Sequence, residues 1–408
     1  MQRSFTFVLL LIVCLLCIGP LVAQDAPTPE PVGLRPDAPE YAQHGPYWVG
    51  TQELVIDEGS EHPIPVTIWY PALNPDNAPE AVVYRVAEGS PAEMYLPPGW
   101  AEGVTVTGNA LKDAPPDASA GPYPLVIFSH GFTAPQANVY IGEHLASQGF
   151  VVLAPEHMQD SWESIYPSYA IRLPEIQRAI AYADSLAAAG GLFEGLIDTE
   201  TIAVGGHSAG GIASYGAGGA PLNWAAIEQY CTDMPEVPEC VDLSSQREPL
   251  ASALGLDAPP EGMWPAFWDS RVDAIFPIAG PMEMYGQEGL ADLDIPMLTL
   301  YGSLDEYGPW LTPAFQLAGS SQKGEVVFEN AGHELFTNRC ETTPWLIAAD
   351  LTFLCSDEVW DMDRAHDLTN HFIAAFLLST LKGDAEATAA LAPEAVTFPG
   401  IEYQAEGF

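Results

Sequence analysis

The chain has 408 residues, 48% of them hydrophobic, enough to bury a sizeable core as one large domain or two ordinary ones. Its 12 Lys and Arg stand against 55 Asp and Glu, a formal net charge of −43. A surface this acidic repels phosphate backbones and anionic bilayers, which argues against nucleic acid as a partner; the charges are scattered and read as a solvated surface.

At the amino terminus Arg3 precedes an apolar run from Phe5 to about Ile18, followed by Gly19-Pro20-Leu21-Val22-Ala23. The run is shorter than the roughly 18 residues a membrane span needs. Residues 1–23 are therefore expected to be a secretory signal peptide cut after Ala23, leaving a secreted or periplasmic protein with no stable span. Leu16 before Cys17 does not fit a lipoprotein box. Residues 24–46, rich in Pro, Ala and acidic side chains, read as a mobile tether.

Four cysteines then remain: Cys231, Cys240, Cys340 and Cys355. An even count in an exported protein predicts two disulfides, and the nearest-neighbour pairing, Cys231–Cys240 and Cys340–Cys355, is preferred among three. Cys14 and Cys17 have Cys-x-x-Cys spacing but lie inside the expected signal peptide; the four remaining cysteines have none, and no His-Glu-x-x-His or calcium-loop spacing occurs, so no metal is indicated.

Trp48–Ile56 and Pro65–Tyr70 read as two strands of an antiparallel start. Residues 71–120 are loop-rich. Short apolar runs follow at 125–128, 151–154, 202–204, 274–276, 297–300 and 326–328, and such runs suit strands covered on both faces. One helix is expected from Pro174 to Gly190, with Ile176, Ala179, Ile180, Ala183 and Ala187 on its buried face. Another carries Leu368, Phe372, Ala375, Phe376 and Ser379 and stops at Gly383. Strands alternating with helices predict an α/β fold with ligands at the carboxyl ends of the strands.

Three of those strand ends carry chemistry. Gly205-Gly206-His207-Ser208-Ala209-Gly210-Gly211 follows the run at 202–204, and its glycines permit the sharp strand-to-helix turn that exposes a serine oxygen. Asp305 lies on the loop after 297–300, and His333 on the loop after 326–328. The order Ser208, Asp305, His333 is that of a Ser-Asp-His hydrolase, with serine as nucleophile, histidine as base and aspartate as its orienting acid. The turn Ser129-His130-Gly131-Phe132 follows the run at 125–128, so the backbone N–H groups of Phe132 and Ala209 are the candidate oxyanion hole. His130 is expected to prop this loop. His207 is expected to point away from the serine oxygen, and His366 and His371 do not share a helix face well enough to pair on a metal.

Phe128-Ser129-His130-Gly131-Phe132, the stretch 145–152, Pro155-Glu156-His157, the strand 66–71, the turn 205–211 and Leu381-Lys382-Gly383-Asp384 together resemble the platelet-activating-factor acetylhydrolase and dienelactone-hydrolase-like branch of the α/β-hydrolases. The resemblance runs from about Trp48 to Asp384 and weakens over 217–268. It implies an α/β-hydrolase domain over 47–385, a mostly parallel sheet flanked by helices, with a C-terminal tail over 386–408. It further implies a calcium-independent serine esterase needing no cofactor, acting on short-acyl or phospholipid esters. Dienelactone hydrolases carry cysteine where this chain has Ser208, which turns the reading away from their substrate. The His130-Gly131-Phe132-Thr133 turn is similar to that of secreted cutinases and polyester hydrolases, which gives an alternative substrate class. A non-catalytic binding protein on the same fold and a peptidase are further alternatives; the chain before Leu125 is short for the propeller many such peptidases carry. Residues 217–268 sit where hydrolases often carry a cap, so Trp264, Phe267 and Trp268 are candidate pocket residues, with ordinary core as the competing reading.

Overall fold

The computed structural model describes residues 38–86, 104–132, 135–161 and 163–408. The expected signal peptide, and the tether as far as residue 37, lie outside the described residues. Among the described residues the strands are β1 (Trp48–Ile56), β2 (Ile64–Ala72), β3 (Val82–Arg85), β4 (Thr105–Gly108), β5 (Leu111–Lys112), β6 (Tyr123–Ser129), β7 (Val151–Pro155), β8 (Ile197–His207), β9 (Val272–Ile278), β10 (Met297–Gly302), β11 (Lys323–Phe328) and β12 (Ile401–Glu406). The helices are α1 (Val139–Ser147), α2 (Ile165–Ala187), α3 (Ala209–Ala217), α4 (Trp224–Asp233), α5 (Leu243–Ala253), α6 (Gly286–Ala291), α7 (Gly308–Leu311), α8 (Ala314–Leu317), α9 (Pro344–Ala348), α10 (Met362–Lys382) and α11 (Ala385–Ala390).

Ten strands form one sheet in the order β12-β11-β10-β9-β8-β6-β7-β2-β1-β5, and β3 pairs with β4 apart from it. From β11 to β7 the neighbours are parallel; β12, β2 and β1 join antiparallel. The apolar runs divide residue by residue between two cores, because side chains alternate across a strand. Leu125, Ile127, Val151, Leu153, Ile202 and Val204 face the core packed by α2 and α3. Val126, Phe128, Val152, Ala154 and Ala203 face the core packed by α1 and α10. Both faces are covered, as the unbroken apolar runs require.

Three boundaries differ from the sequence reading. Residues 38–46 are not all tether: Glu40–Ala42 form a 3-10 turn, the Tyr41 N–H donates to His371 Nδ1 at 3.2 Å, and the Tyr41 carbonyl lies 2.7 Å from His144 Nε2. Residues 386–408 are not a tail, for α11 packs on α10 and β12 closes the sheet against β11. Helix α2 begins at Ile165 rather than Pro174, which lies inside it. A proline at that position supplies no N–H to the Ala170 carbonyl, and packing on both the sheet and α5 holds the helix through the gap. The expected stop of α10 holds: Gly383 caps it with φ 65°.

Disulfides join Cys231 to Cys240 and Cys340 to Cys355, the nearest-neighbour pairing. The second closes 15 residues of chain next to the loop that carries His333. Within that loop Thr337 Oγ1 donates to the Leu354 carbonyl at 2.6 Å, and Asp357 Oδ2 accepts the Gly332 N–H at 2.9 Å. Removing this bridge by Cys340→Ser with Cys355→Ser is expected to lower stability by about 3 kcal/mol. The readout is a lower denaturant midpoint; an unmoved midpoint would show that the bridge constrains nothing.

Candidate active site

Ser208 sits between β8 and α3 with φ 54° and ψ −117°, a conformation that costs a non-glycine residue about 1–3 kcal/mol. Its surroundings hold it there by leaving no room for side chains. A Cβ on Gly206 would meet the Ser129 carbonyl oxygen at 2.2 Å, and one on Gly210 would meet the same atom at 1.8 Å. The end of β6 can therefore lie directly against the elbow. The Ser208 N–H donates to the Ile278 carbonyl at 2.8 Å, which ties the elbow to the end of β9 as well.

Ser208 Oγ lies 2.8 Å from His333 Nε2, and His333 Nδ1 lies 2.7 Å from Asp305 Oδ2. Asp305 is a carboxylate that can only accept, so Nδ1–H donates to it and Nε2 is left to accept from the serine hydroxyl. The three residues singled out at separate strand ends are thus brought into one hydrogen-bonded line. Burial disfavours the charged imidazole of His333, but Asp305, with Glu334 and Glu306, outweighs it and lifts the group to about 9. Asp305, Glu306 and His333 also bring ligand-type atoms within 4.8 Å of one another. Both ring nitrogens of His333 are already engaged in the line, so the group reads as part of it.

His207 lies beside this line. Its Nε2 donates to the His333 carbonyl at 3.1 Å, and the two rings sit 5.2 Å apart. Burial, then the neighbouring His333, lowers it to about 3, which keeps it a neutral donor. It holds the backbone of His333, a contact the sequence reading did not foresee.

The oxyanion-hole candidates are also close by. Ala209 opens α3, where the first N–H groups have no partner within the helix. A Cβ on Gly131 would lie 3.5 Å from Ser208 Cβ, which puts the 131–132 peptide beside the serine. His130 Nδ1 donates to the Gly131 carbonyl at 2.6 Å, and its Nε2 accepts the His157 N–H at 3.0 Å, so it props the loop as expected.

Ring contacts to the site come from residues the sequence reading missed. Tyr307 packs edge-on against His333 at 5.2 Å, and Tyr169 against Phe132 at 6.0 Å. Tyr166 stacks edge-on against Tyr169, and its hydroxyl lies 3.8 Å from Cys231 Sγ. Tyr230 donates to Glu239 at 2.7 Å and packs against Trp310. The Cys231–Cys240 turn of the 217–268 insertion thus meets the loop after Asp305. Glu283, on the loop after β9, is 1% exposed, and burial together with Glu239 holds its carboxyl well above the usual range. The only signal for these residues was position: Tyr307 lies two residues beyond Asp305, and Glu283 shortly beyond a strand end.

Trp264, by contrast, is 2% exposed within the α2–α3 core, its backbone N–H bonded to the Leu222 carbonyl. Phe267 is half-buried against that core, and Trp268 lies over Gly219, 39% exposed. Core packing is the simpler account of Trp264, since a large ring there fills space between the insertion and the sheet.

Residues 36–176 match the family model described as platelet-activating factor acetylhydrolase, isoform II. No curated protein matches the sequence. Among solved structures the chain is similar to a ferulic acid esterase from Streptomyces cinnamoneus, with TM-score 0.54 and 20% identity, over 87% of this chain and 95% of that one. The likeness establishes an α/β-hydrolase fold, and the family match supports the expected branch. The chain is a carboxylic ester hydrolase.

The raised His333 predicts an alkaline profile. The imidazole must be neutral to accept the serine proton, so kcat/KM should climb with pH toward about 9 instead of levelling near 6.5. Asp305→Asn should move that limb downward and lower kcat by about 10⁴-fold; an unshifted limb would separate Asp305 from the titration. Trp264→Ala should cost about 3–5 kcal/mol of stability with acyl-length preference unchanged. Tyr307→Ala should instead alter that preference, measured as kcat/KM across acyl lengths. The reverse pattern would return Trp264 to the pocket.

Proposed function

We propose that this protein is an exported serine esterase that cleaves short-acyl or phospholipid esters through an acyl-enzyme. The observation that carries the reading is the line Ser208 Oγ, His333, Asp305, closed at 2.8 Å and 2.7 Å. In this mechanism His333 Nε2 takes the Ser208 proton as Oγ attacks the ester carbonyl. Asp305 holds the tautomer and stabilises the imidazolium. The tetrahedral oxyanion is received by the N–H groups of Phe132 and Ala209, each such donor being worth about 10²–10³ in rate. His333 then protonates the departing alcohol, and water cleaves the acyl-enzyme by the reverse proton path.

Export is supported by the amino-terminal pattern and the two disulfides. No helix among the described residues is long and apolar enough to cross a membrane. The family match over 36–176 supports the short-acyl and phospholipid class. A second reading, an aromatic ester or polyester, is favoured by the rings of Phe132, Tyr169, Tyr166 and Tyr307 around the line.

A fluorophosphonate should label the protein at Ser208 and Ser208→Ala should not react; absence of the adduct would favour a non-catalytic binding protein. On a panel of acetyl, long-acyl, 2-acetyl phospholipid, feruloyl, polyester and peptide substrates, the highest kcat/KM is expected for the acetyl and phospholipid esters. A preference for feruloyl or polyester substrates would transfer the conclusion to the second reading.

A further inference from the structure

Behind the 129–132 turn lies a buried network that the triad does not use. Arg172 of α2, 0% exposed, sends every side of its guanidinium to a partner. Nε donates to Asp160 Oδ1 at 3.3 Å and Nη2 to Asp160 Oδ2. Nη1 donates to Ser129 Oγ at 3.2 Å and to the His130 carbonyl, and Nη2 donates to the Gly131 carbonyl at 3.1 Å. Five contacts match the five N–H donors of an arginine, set in a rigid planar fork. Asp160, 7% exposed, neutralises the charge.

A second buried line steadies the same turn. Ser129 Oγ lies 2.8 Å from His157 Nε2, and His157 Nδ1 lies 2.6 Å from Glu175 Oε2. Gln159 donates to the other Glu175 oxygen at 3.1 Å. It has the atoms of a serine–histidine–acid relay, but its serine and histidine are 0% exposed and no substrate can reach them. Its chemistry is therefore positional.

We propose that Arg172 is a positioning residue for the oxyanion hole. The argument is geometric and rests on the reading of Ser208 and Phe132 given above. In a trans peptide the C=O of one residue and the N–H of the next point in opposite directions. The Gly131 carbonyl is gripped by Arg172 Nη2 and His130 Nδ1, so the Phe132 N–H is aimed the opposite way. That peptide lies beside Ser208, as the space around Gly131 shows. The grip on the His130 carbonyl fixes the preceding peptide too. Arg172 thus sets the direction of a donor without touching the substrate. A lysine, with a single nitrogen and no fork, cannot hold two successive carbonyls and Asp160 together.

The experiment compares the full-length protein with Arg172→Lys and with the paired variant Arg172→Met/Asp160→Leu. The pair removes both buried charges together, so no unpaired charge is left to unfold the chain. Rates are expressed per active site titrated with a fluorophosphonate, which discounts misfolded protein. The expected result is a 10- to 100-fold fall in kcat with KM within about threefold, in both variants. Affinity for a trifluoromethyl ketone, which forms a tetrahedral adduct on the serine, should fall by the same factor. Wild-type kcat per site and wild-type ketone affinity in the paired variant would overturn the proposal, even if Arg172→Lys does not fold. Failure of the wild-type protein to label or to hydrolyse any ester would instead overturn the underlying serine-esterase reading.

Discussion

The carbonyl oxygen of Ser129 occupies space that a Cβ on Gly206 or Gly210 would fill. That one steric fact lets β6 and β8 end face to face, and the remaining features of the site are arranged around it. The elbow can hold Ser208 at a positive φ only while β6 and the Ile278 carbonyl brace it. The same closeness brings the 131–132 peptide beside Ser208. Strain in the elbow is thus supported by two neighbouring strands, and a methyl group at either glycine would separate the parts.

Electrostatics then distinguishes four histidines crowded at this edge. His333 has a carboxylate on one ring nitrogen and is raised; His207, His130 and His157 lie against backbone or neutral partners, or are fully buried, and are lowered. Burial acts on all four in the same direction, so the difference is made by Asp305 and the acids around it. His157 shows that an acid partner alone is not enough, since Glu175 lies against it while burial and Arg172 together hold it neutral. The result is one imidazole favoured in its charged form, beside three that act as fixed hydrogen-bonding groups.

That Ser208, Asp305 and His333 come together was legible because each follows its own apolar strand, in an order that few other arrangements share. The two-sided sheet was legible for a similar reason: runs such as Leu125–Phe128 leave no polar face to expose. What could not be read were contacts made by side chains that look ordinary in sequence. Arg172 lies in mid-helix and Glu175 three residues beyond, with nothing in their spacing to connect them to Ser129, more than forty positions earlier. Pro174 looked like a helix start because proline favours that place, but tertiary packing prevailed over local preference. The last strand, Ile401–Glu406, alternates strictly between apolar and polar residues, with only one face half-buried against its neighbours, a signal the sequence reading missed because it is only 6 residues long.

That last strand also bears on timing. It pairs along the whole of β11, the Gly400 carbonyl accepts the Glu329 N–H, and Trp360, packed against Gly400, donates its indole N–H to the Glu329 carbonyl. Glu329 begins the loop that leads to His333. A chain made from its amino terminus therefore contains the Ser208 turn long before the segment that walls the His333 loop. Ser208 emerges some two hundred residues ahead of the segment that completes the surroundings of His333. During synthesis from the amino terminus, the segment that backs the His333 loop thus follows Ser208, Asp305 and His333 themselves.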